Sequence, residues 1–396
     1  MKVFTMLKAL RKSGTPVILL NKTKTELKEL RKDTFYCPHC KEQVFIRAGD
    51  KVSPHYAHFQ KSQCSFKNKG EGEYHTKGKI ALYQWLISQD IEVEMEYYLP
   101  KIHQRPDLLA KWKNRYFAIE FQCAVIPPQI IRERSMGYVN AGIIPLWILG
   151  ENHLKKRGIH QIKTTHFEAL FIQKLTPALE PKILFYNPIT NLLSSFSNPY
   201  SIKSRVYGLL QSSLLKDLTF EQIFSDSKVL DHQLYEYWLK EKRIFRNLRA
   251  QYPSSKDQSF ILWLYKRGLH PQYLPAEIHL PLPHHFLIET PTYIWQSKVF
   301  LEIINPLSNG KTFTYNQVKQ SLHSIQKRKP LASIFLEEDV PIREYLGVLE
   351  KLNVISQIKR NTYRKKRDVV FPETIEKAIN ADQNVLDKLI KLEKNT

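Results

Sequence analysis

Ile91-Glu92-Val93-Glu94-Met95 opens and Tyr116-Phe117-Ala118-Ile119-Glu120-Phe121-Gln122 closes the stretch that decides the fold of this chain. Between them lie Arg105-Pro106-Asp107-Leu108-Leu109 and Lys113-Asn114. The stretch reads as three strands, the last two joined by a tight hairpin with Lys113-Asn114 at its tip. Pairing outward from that turn sets Asp107 opposite Glu120 on adjacent antiparallel strands. Alternation puts Ala118, Glu120 and Gln122 on one face, and Phe117, Ile119 and Phe121 on the other. Two like charges face to face destabilise a sheet unless a cation lies between them. A divalent metal is the simplest candidate, which points to metal-assisted hydrolysis. The competing reading is a solvated pair at a sheet edge. Against it stands the apolar run around Glu120, where an unpaired charge is costly to bury.

A helix is expected over Glu73–Ile87, with Ile80, Leu82, Tyr83, Leu86 and Ile87 as its apolar side. Its approach and first turns carry Glu71, Glu73, His75 and Lys79, and the last two, four apart, share a face. His75 is either a surface histidine or a participant in the carboxylate site. After Gln122, Val125-Ile126-Pro127-Pro128 breaks the chain before a helix over Gln129–Asn140. A buried strand follows over Gly142–Leu149. A helix crossing between two strands implies a parallel connection and hence a mixed α/β sheet. Arg132, Arg134 and Tyr138 lie on that crossing helix, where Arg134 is either part of a solvated face or a phosphate contact.

Upstream, Tyr36-Cys37-Pro38-His39-Cys40 is followed by His55, His58 and Cys64. Cys-x2-Cys on a tight turn is half of a tetrahedral zinc site. A redox pair would need a thioredoxin-like strand and helix around it, which are missing here. The expected ligands are Cys37, Cys40 and Cys64 with one histidine, His58 before His55, while His39 reads as a surface residue. Four protein ligands leave no open position, so the zinc would be structural.

The chain has 396 residues, enough for two to four domains, and 42% hydrophobic and 12% aromatic content, which excludes a disordered chain. A net charge of +22 favours a polyanionic partner, nucleic acid or an anionic membrane surface. Four cysteines, three of them between 37 and 64, argue for a metal site in a reducing compartment rather than a disulfide scaffold. Lys8, Arg11 and Lys12 interrupt any apolar signal core, and no run approaches a transmembrane helix, so a cytoplasmic location is expected.

Glu151–Lys174 reads as polar and helix-like, Ile183–Phe196 as a hairpin, and Ser201–Leu269 as mostly helical with core aromatics. Prolines from Pro271 to Pro291 mark an extended connection. The end of the chain resembles a winged helix-turn-helix. Helices over Tyr315–Ile325 and Pro341–Leu352 precede a basic hairpin, in which Arg364, Lys365, Lys366 and Arg367 suit backbone phosphates. A plain helix pair with a solvated cationic loop is the alternative. The expected fold class is α/β (α+β). It comprises a basic zinc-knuckle segment (1–69), a mixed-sheet core (70–152), a mostly helical segment (153–308) and a winged-helix-like end (309–396).

Taken in order, Cys37-x2-Cys40, Pro54-His55-Tyr56-Ala57-His58, Glu73-x-His75-x3-Lys79, Arg105-Pro106-Asp107, Ile119-Glu120-Phe121-Gln122, Ile131-x2-Arg134 with Tyr138, and Leu146-Trp147-Ile148-Leu149 resemble the competence protein CoiA family. That family occurs in naturally transformable and related Gram-positive bacteria, and the resemblance spans about Lys24 to Gly150. It is similar to PD-(D/E)xK nucleases, whose metal ligands sit on a strand pair. The resemblance implies Asp107 and Glu120 as Mg2+ (or Mn2+) ligands and a role in processing or recombining incoming DNA. Where the superfamily pattern calls for lysine two residues after the glutamate, this chain has Gln122. Glutamine can orient a water but has no charge to offer, so Lys79 or His75 would supply proton transfer or electrostatic help. The leading expectation is a metal-dependent DNA nuclease. Its rivals are a non-hydrolytic DNA-binding recombination platform on the same fold, and an adaptor at the DNA-uptake machinery.

Overall fold

The computed structural model describes residues 6–20, 22–49, 52–62, 64, 72–158, 160–176, 179–202, 205–225, 231–249, 252, 254–327, 330–331 and 336–394. Glu71, named above, lies outside them. Two units emerge: the first comprises 1–159, 164–197 and 210–226, the second 160–163, 198–209 and 227–396.

The first unit begins with a small sheet of β1 (Lys8–Arg11), β2 (Pro16–Ile18), β3 (Phe35–Tyr36), β4 (Gln43–Gly49) and β5 (Val52–His58), in the order β2-β1-β3-β4-β5. Helix α1 (Lys24–Leu30) lies between β2 and β3 in the chain and starts with a capping box in which Thr23 and Glu26 bond reciprocally. Met6, Phe35, Val44 and Tyr56 form the core here.

The larger sheet of this unit is built around the stretch quoted first. Helix α2 (Glu73–Ile87) precedes β6 (Glu92–Met95), β7 (Leu108–Trp112) and β8 (Arg115–Gln122). The register runs Leu108↔Ile119 through Trp112↔Arg115, as expected from a two-residue turn. Lys113 and Asn114 both take left-handed backbone (φ 46 and 59), the type I′ geometry that matches strand twist. Helix α3 (Pro128–Asn140) then crosses to β9 (Ile143–Gly150), which pairs parallel with β8 from Tyr116↔Ile143 to Gln122↔Leu149.

Leu108, Ala110, Phe117, Ile119 and Phe121 pack with Leu82, Trp85 and Leu86 of α2, whereas Leu109 and Ala118 pack with Tyr138 of α3. The central strand is thus covered on both faces, as parallel pairing demands. Ile87, expected on the apolar side of α2, is instead 47% exposed, and Trp85 takes the buried place.

The sheet does not stop at residue 152. After β10 (Lys155–Lys156), β11 (Gln161–Lys163) and α4 (His166–Leu170) come β12 (Lys182–Asn187), β13 (Leu192–Ile202) and β14 (Arg205–Leu214). Strand order is β14-β13-β12-β9-β8-β7-β6, with β12 parallel to β9. The hairpin expected over Ile183–Phe196 is present. The helix expected over Glu151–Lys174 is only the five residues of α4, and the start of the expected helical stretch at Ser201 is strand. The boundary expected at 152/153 therefore falls inside the sheet.

The second unit contains the outer part of β14, paired with β11, and helices α5 (Asp231–Ile244), α6 (Ser255–Tyr265), α7 (Thr292–Val299) and, later, α10 (Ile375–Lys394). Many of its aromatics are core: Tyr235, Trp238, Phe245, Phe260, Tyr293 and Trp295 are all buried, whereas Tyr252 and Tyr265 are exposed. The proline-marked segment has no long helix, only short turns at Pro271–Tyr273 and His285–Leu287, and it is buried, with Leu280 and Leu282 fully enclosed. The end of the chain has the order of a winged helix: α7, β15 (Thr312–Thr314), α8 (Tyr315–Ser321), α9 (Val340–Lys351), β16 (Ile355–Lys359) and β17 (Thr362–Lys365), with sheet order β15-β17-β16.

Candidate active site and metal centre

Asp107 sits one residue before β7, after buried Pro106, and its carboxylate turns inward at the end of the hairpin. Its Oδ2 accepts the Phe121 backbone N–H at 2.9 Å and lies 3.2 Å from His75 Nε2. The imidazole stacks on the Phe121 ring, centroids 5.7 Å apart. Close approach of α2 to β8 depends on Gly78, where an added Cβ would lie 2.0 Å from the Phe121 ring. Burial would raise the Asp107 carboxyl, but the charge and hydrogen bond of His75, the Lys79 ammonium and the Phe121 N–H hold it well below the usual carboxylate range.

Glu120 is buried on the neighbouring strand, and α3 supplies its partners. Arg134 Nε donates to Oε1 at 3.1 Å, and Arg134 Nη2 and the Tyr138 hydroxyl donate to the same oxygen. Arg134 Nη2 also donates to the Arg105 carbonyl at 3.0 Å, so the segment leading to Asp107 is tied to the same guanidinium. Burial, with the nearby Asp107 charge, pushes the Glu120 carboxyl up, while Arg134 and Tyr138 oppose it. Burial and the Glu120 charge keep Tyr138 protonated and able to donate.

The two carboxylates are therefore brought together, but each finds its positive partner on a different helix. Arg134, expected as a phosphate contact, is instead the partly buried counter-ion of Glu120. Its value to Glu120 was hidden because fourteen residues and a helix crossing separate them. Lys79, four residues beyond His75, is fully buried against Glu96, with Nζ–Oε1 at 2.5 Å. It acts on Asp107 through its charge, not as a mobile proton donor. Gln122 donates from Nε2 to the Ala124 carbonyl in its own loop. For a hard cation the donor kind is suitable, since both groups offer carboxylate oxygens. Asp107 and Glu120 are the residues that could hold Mg2+ or Mn2+.

A second centre lies in the small sheet. The ligand atoms of Cys37, Cys40, His58 and Cys64 all lie within 4.8 Å of one another, and this is the one such group among the described residues. Three thiols and an imidazole at that spacing fit a tetrahedral zinc ion. Cys40 Sγ is 3.4 Å from His58 Nε2. The knuckle closes through the Lys41 N–H to the Cys37 carbonyl (3.0 Å), with Lys41 at φ 60. Burial raises the Cys37 thiol, and burial with the Cys37 charge pushes Cys40 up to about 12, so metal uptake must drive off these protons. His55 is outside the group. Three residues from His58 on one strand, it points to the opposite face, where it is buried.

The basic hairpin also differs from its reading. The turn is at Arg360-Asn361, where Asn361 has φ 61. Lys365 is buried, its Nζ donating to the Asn305 and Leu307 carbonyls at 3.1 and 2.7 Å. Arg367 is half-buried and pairs with Glu277 at 2.9 Å. Lys365 is a structural cation, because β17 alternation turns Tyr363 and Lys365 inward. Arg364 and Lys366 are exposed.

Three family models cover the chain in sequence: the competence protein CoiA N-terminal domain over residues 19–67, its nuclease-like domain over 71–228 and its C-terminal domain over 234–379. The chain belongs to the competence protein CoiA family. Competence protein CoiA of Bacillus subtilis (strain 168) is 26% identical over 347 residues, covering 85% of this chain and 90% of that protein. No solved structure matches. The CoiA nuclease-like domain ends at 228, past β14, in agreement with a sheet that continues beyond residue 152. Among the described residues no helix is long and apolar enough to cross a membrane.

Proposed function

We propose that this protein acts on DNA through Asp107 and Glu120, as a metal-dependent nuclease-like factor in transformation and recombination. The observation that carries this reading is the convergence of two carboxylates at the end of adjacent strands in a nuclease-like domain, with His75 on one of them. Mg2+ or Mn2+, when bound, would polarise the scissile phosphate and acidify a water. The protein's own groups do the rest. Phe121 N–H and His75 fix the Asp107 carboxylate, and Arg134 with Tyr138 fixes that of Glu120. His75 would relay a proton through its contact with Asp107, and the Gln122 amide would orient a water after leaving Ala124. Zinc at Cys37, Cys40, His58 and Cys64 has a structural role.

A non-hydrolytic DNA platform is the second reading. Arg134 and Tyr138 already balance Glu120, and Gln122 stands where a cation is needed. Cleavage of single-stranded, duplex and branched DNA with Mg2+ or Mn2+ separates the two. Product with either metal supports the nuclease, whereas binding without product on every substrate supports the platform.

A further inference from the structure

The cations nearest the acidic pair are committed within the fold, Arg134 to Glu120 and Lys79 to Glu96. A polyanion approaching Asp107 must therefore be met by other groups, and the first unit gathers some at one place. The His39 ring of the zinc knuckle packs edge-on against Tyr98, with centroids 4.7 Å apart and planes at 71°. The Tyr98 hydroxyl is 2.9 Å from His103 Nδ1. Lys41 follows His39 by two residues in the knuckle, and Arg105 follows His103 by two residues in the loop. Two of these residues come from the knuckle and two from the loop that ends at Asp107.

The juxtaposition is held in place. Lys8 of β1 pairs with Glu94 of β6 at 3.0 Å and lies 5.8 Å from the Tyr97 ring centroid, fastening the small sheet to the start of the loop. At the other end, Arg134 holds the Arg105 carbonyl. Lys41 and His103 remain exposed, and Arg105 is half-buried. Lys41 and Arg105 bring positive charge to this place, and the two histidine rings bring N–H donors, a combination that suits phosphate oxygens.

We propose that His39, Lys41, His103 and Arg105 form a phosphate-binding rim that receives the nucleic-acid backbone beside Asp107 and Glu120. This rests on DNA being the partner, and it gives the zinc knuckle a part in binding as well as in folding. The ligand is the phosphodiester itself, so the rim contributes affinity without sequence preference.

The test uses the full-length zinc-loaded protein. Lys41 and His103 both have left-handed backbone (φ 60 and 52), which asparagine accepts, so Lys41→Asn with His103→Asn removes the side chains with little strain. Binding of labelled single-stranded and duplex oligonucleotides is followed against salt, with zinc content and melting temperature measured alongside. The double variant should bind about 10-fold more weakly at low salt, and its log–log salt slope on duplex should be shallower by about 1 to 2. Unchanged affinity and slope, with the wild type binding, overturn the rim and leave the DNA reading intact. No binding by the wild type to either oligonucleotide overturns both. If the double variant loses zinc, Lys41→Asn alone decides: a shallower slope supports the rim, and an unchanged one overturns it.

Discussion

Arg134 reaches from α3 to Glu120 on β8, and its guanidinium supplies the positive charge that two facing carboxylates require. Charge balance at Glu120 therefore does not depend on a metal. Arg134→Ala would leave a buried carboxylate unpaired, and should cost about 3–5 kcal/mol of stability in denaturant unfolding. Arg134→Lys should recover only part of that, since a point charge cannot serve Glu120, Tyr138 and the Arg105 carbonyl together. A loss below about 1 kcal/mol for Arg134→Ala, with weakened DNA binding, would return Arg134 to the phosphate-contact role.

Purified protein should carry about one zinc ion per chain, lost on Cys37→Ser and on His58→Ala. His55→Ala should retain it, because His55 faces away from the thiols. Elemental analysis of the variants decides between the histidines. Chelation should lower the melting temperature, since structural zinc contributes directly to folding.

The wing divides its cations by strand parity. Arg364→Ala with Lys366→Ala should reduce the salt dependence of DNA binding and leave stability within about 0.5 kcal/mol. Lys365→Ala should do the opposite, destabilising the second unit by stranding two buried carbonyls. Equal effects from both would contradict this division.

Asp382 is buried between Lys242 (2.9 Å) and Arg246 (2.6 Å), which outweigh burial and hold its carboxyl below the usual range. A folded-state pKa below the unfolded one contributes stability that is present above about pH 4 and is lost as pH falls through the folded value. Asp382→Asn should flatten the acid limb of the stability–pH curve. An acid limb identical to that of the wild type would rule out this network as its source.

Much of the fold was legible because local rules were strong. Lys113-Asn114 at a two-residue turn set the hairpin register, and strand alternation assigned the faces of Phe117 to Gln122. The helices around them followed from apolar spacing and the Pro127-Pro128 break. Spacing also favoured His58 in the Cys cluster. What escaped was long-range. Arg134 was not legible as the partner of Glu120 because it lies on the next helix, fourteen residues along the chain. Strand β14 was hidden by its position within a segment rich in helix-compatible leucines and aromatics. The burial of Lys365 was available from the inward–outward alternation of β17, but the run of positive residues masked it.

The central claim is that Asp107 and Glu120 act chemically on DNA, and Asp107→Ala tests it most directly. Wild type and variant should be compared for both cleavage and binding of the same DNA, with Mg2+ or Mn2+ present. The account predicts that the wild type cuts at least one substrate. The variant should lose that cleavage while binding within a few-fold of wild type, because a carboxylate repels phosphate and is no affinity determinant alone. Gln122→Lys should retain or raise the rate. Cleavage by Asp107→Ala at the wild-type rate, or none by wild type and Gln122→Lys alike, would contradict the account.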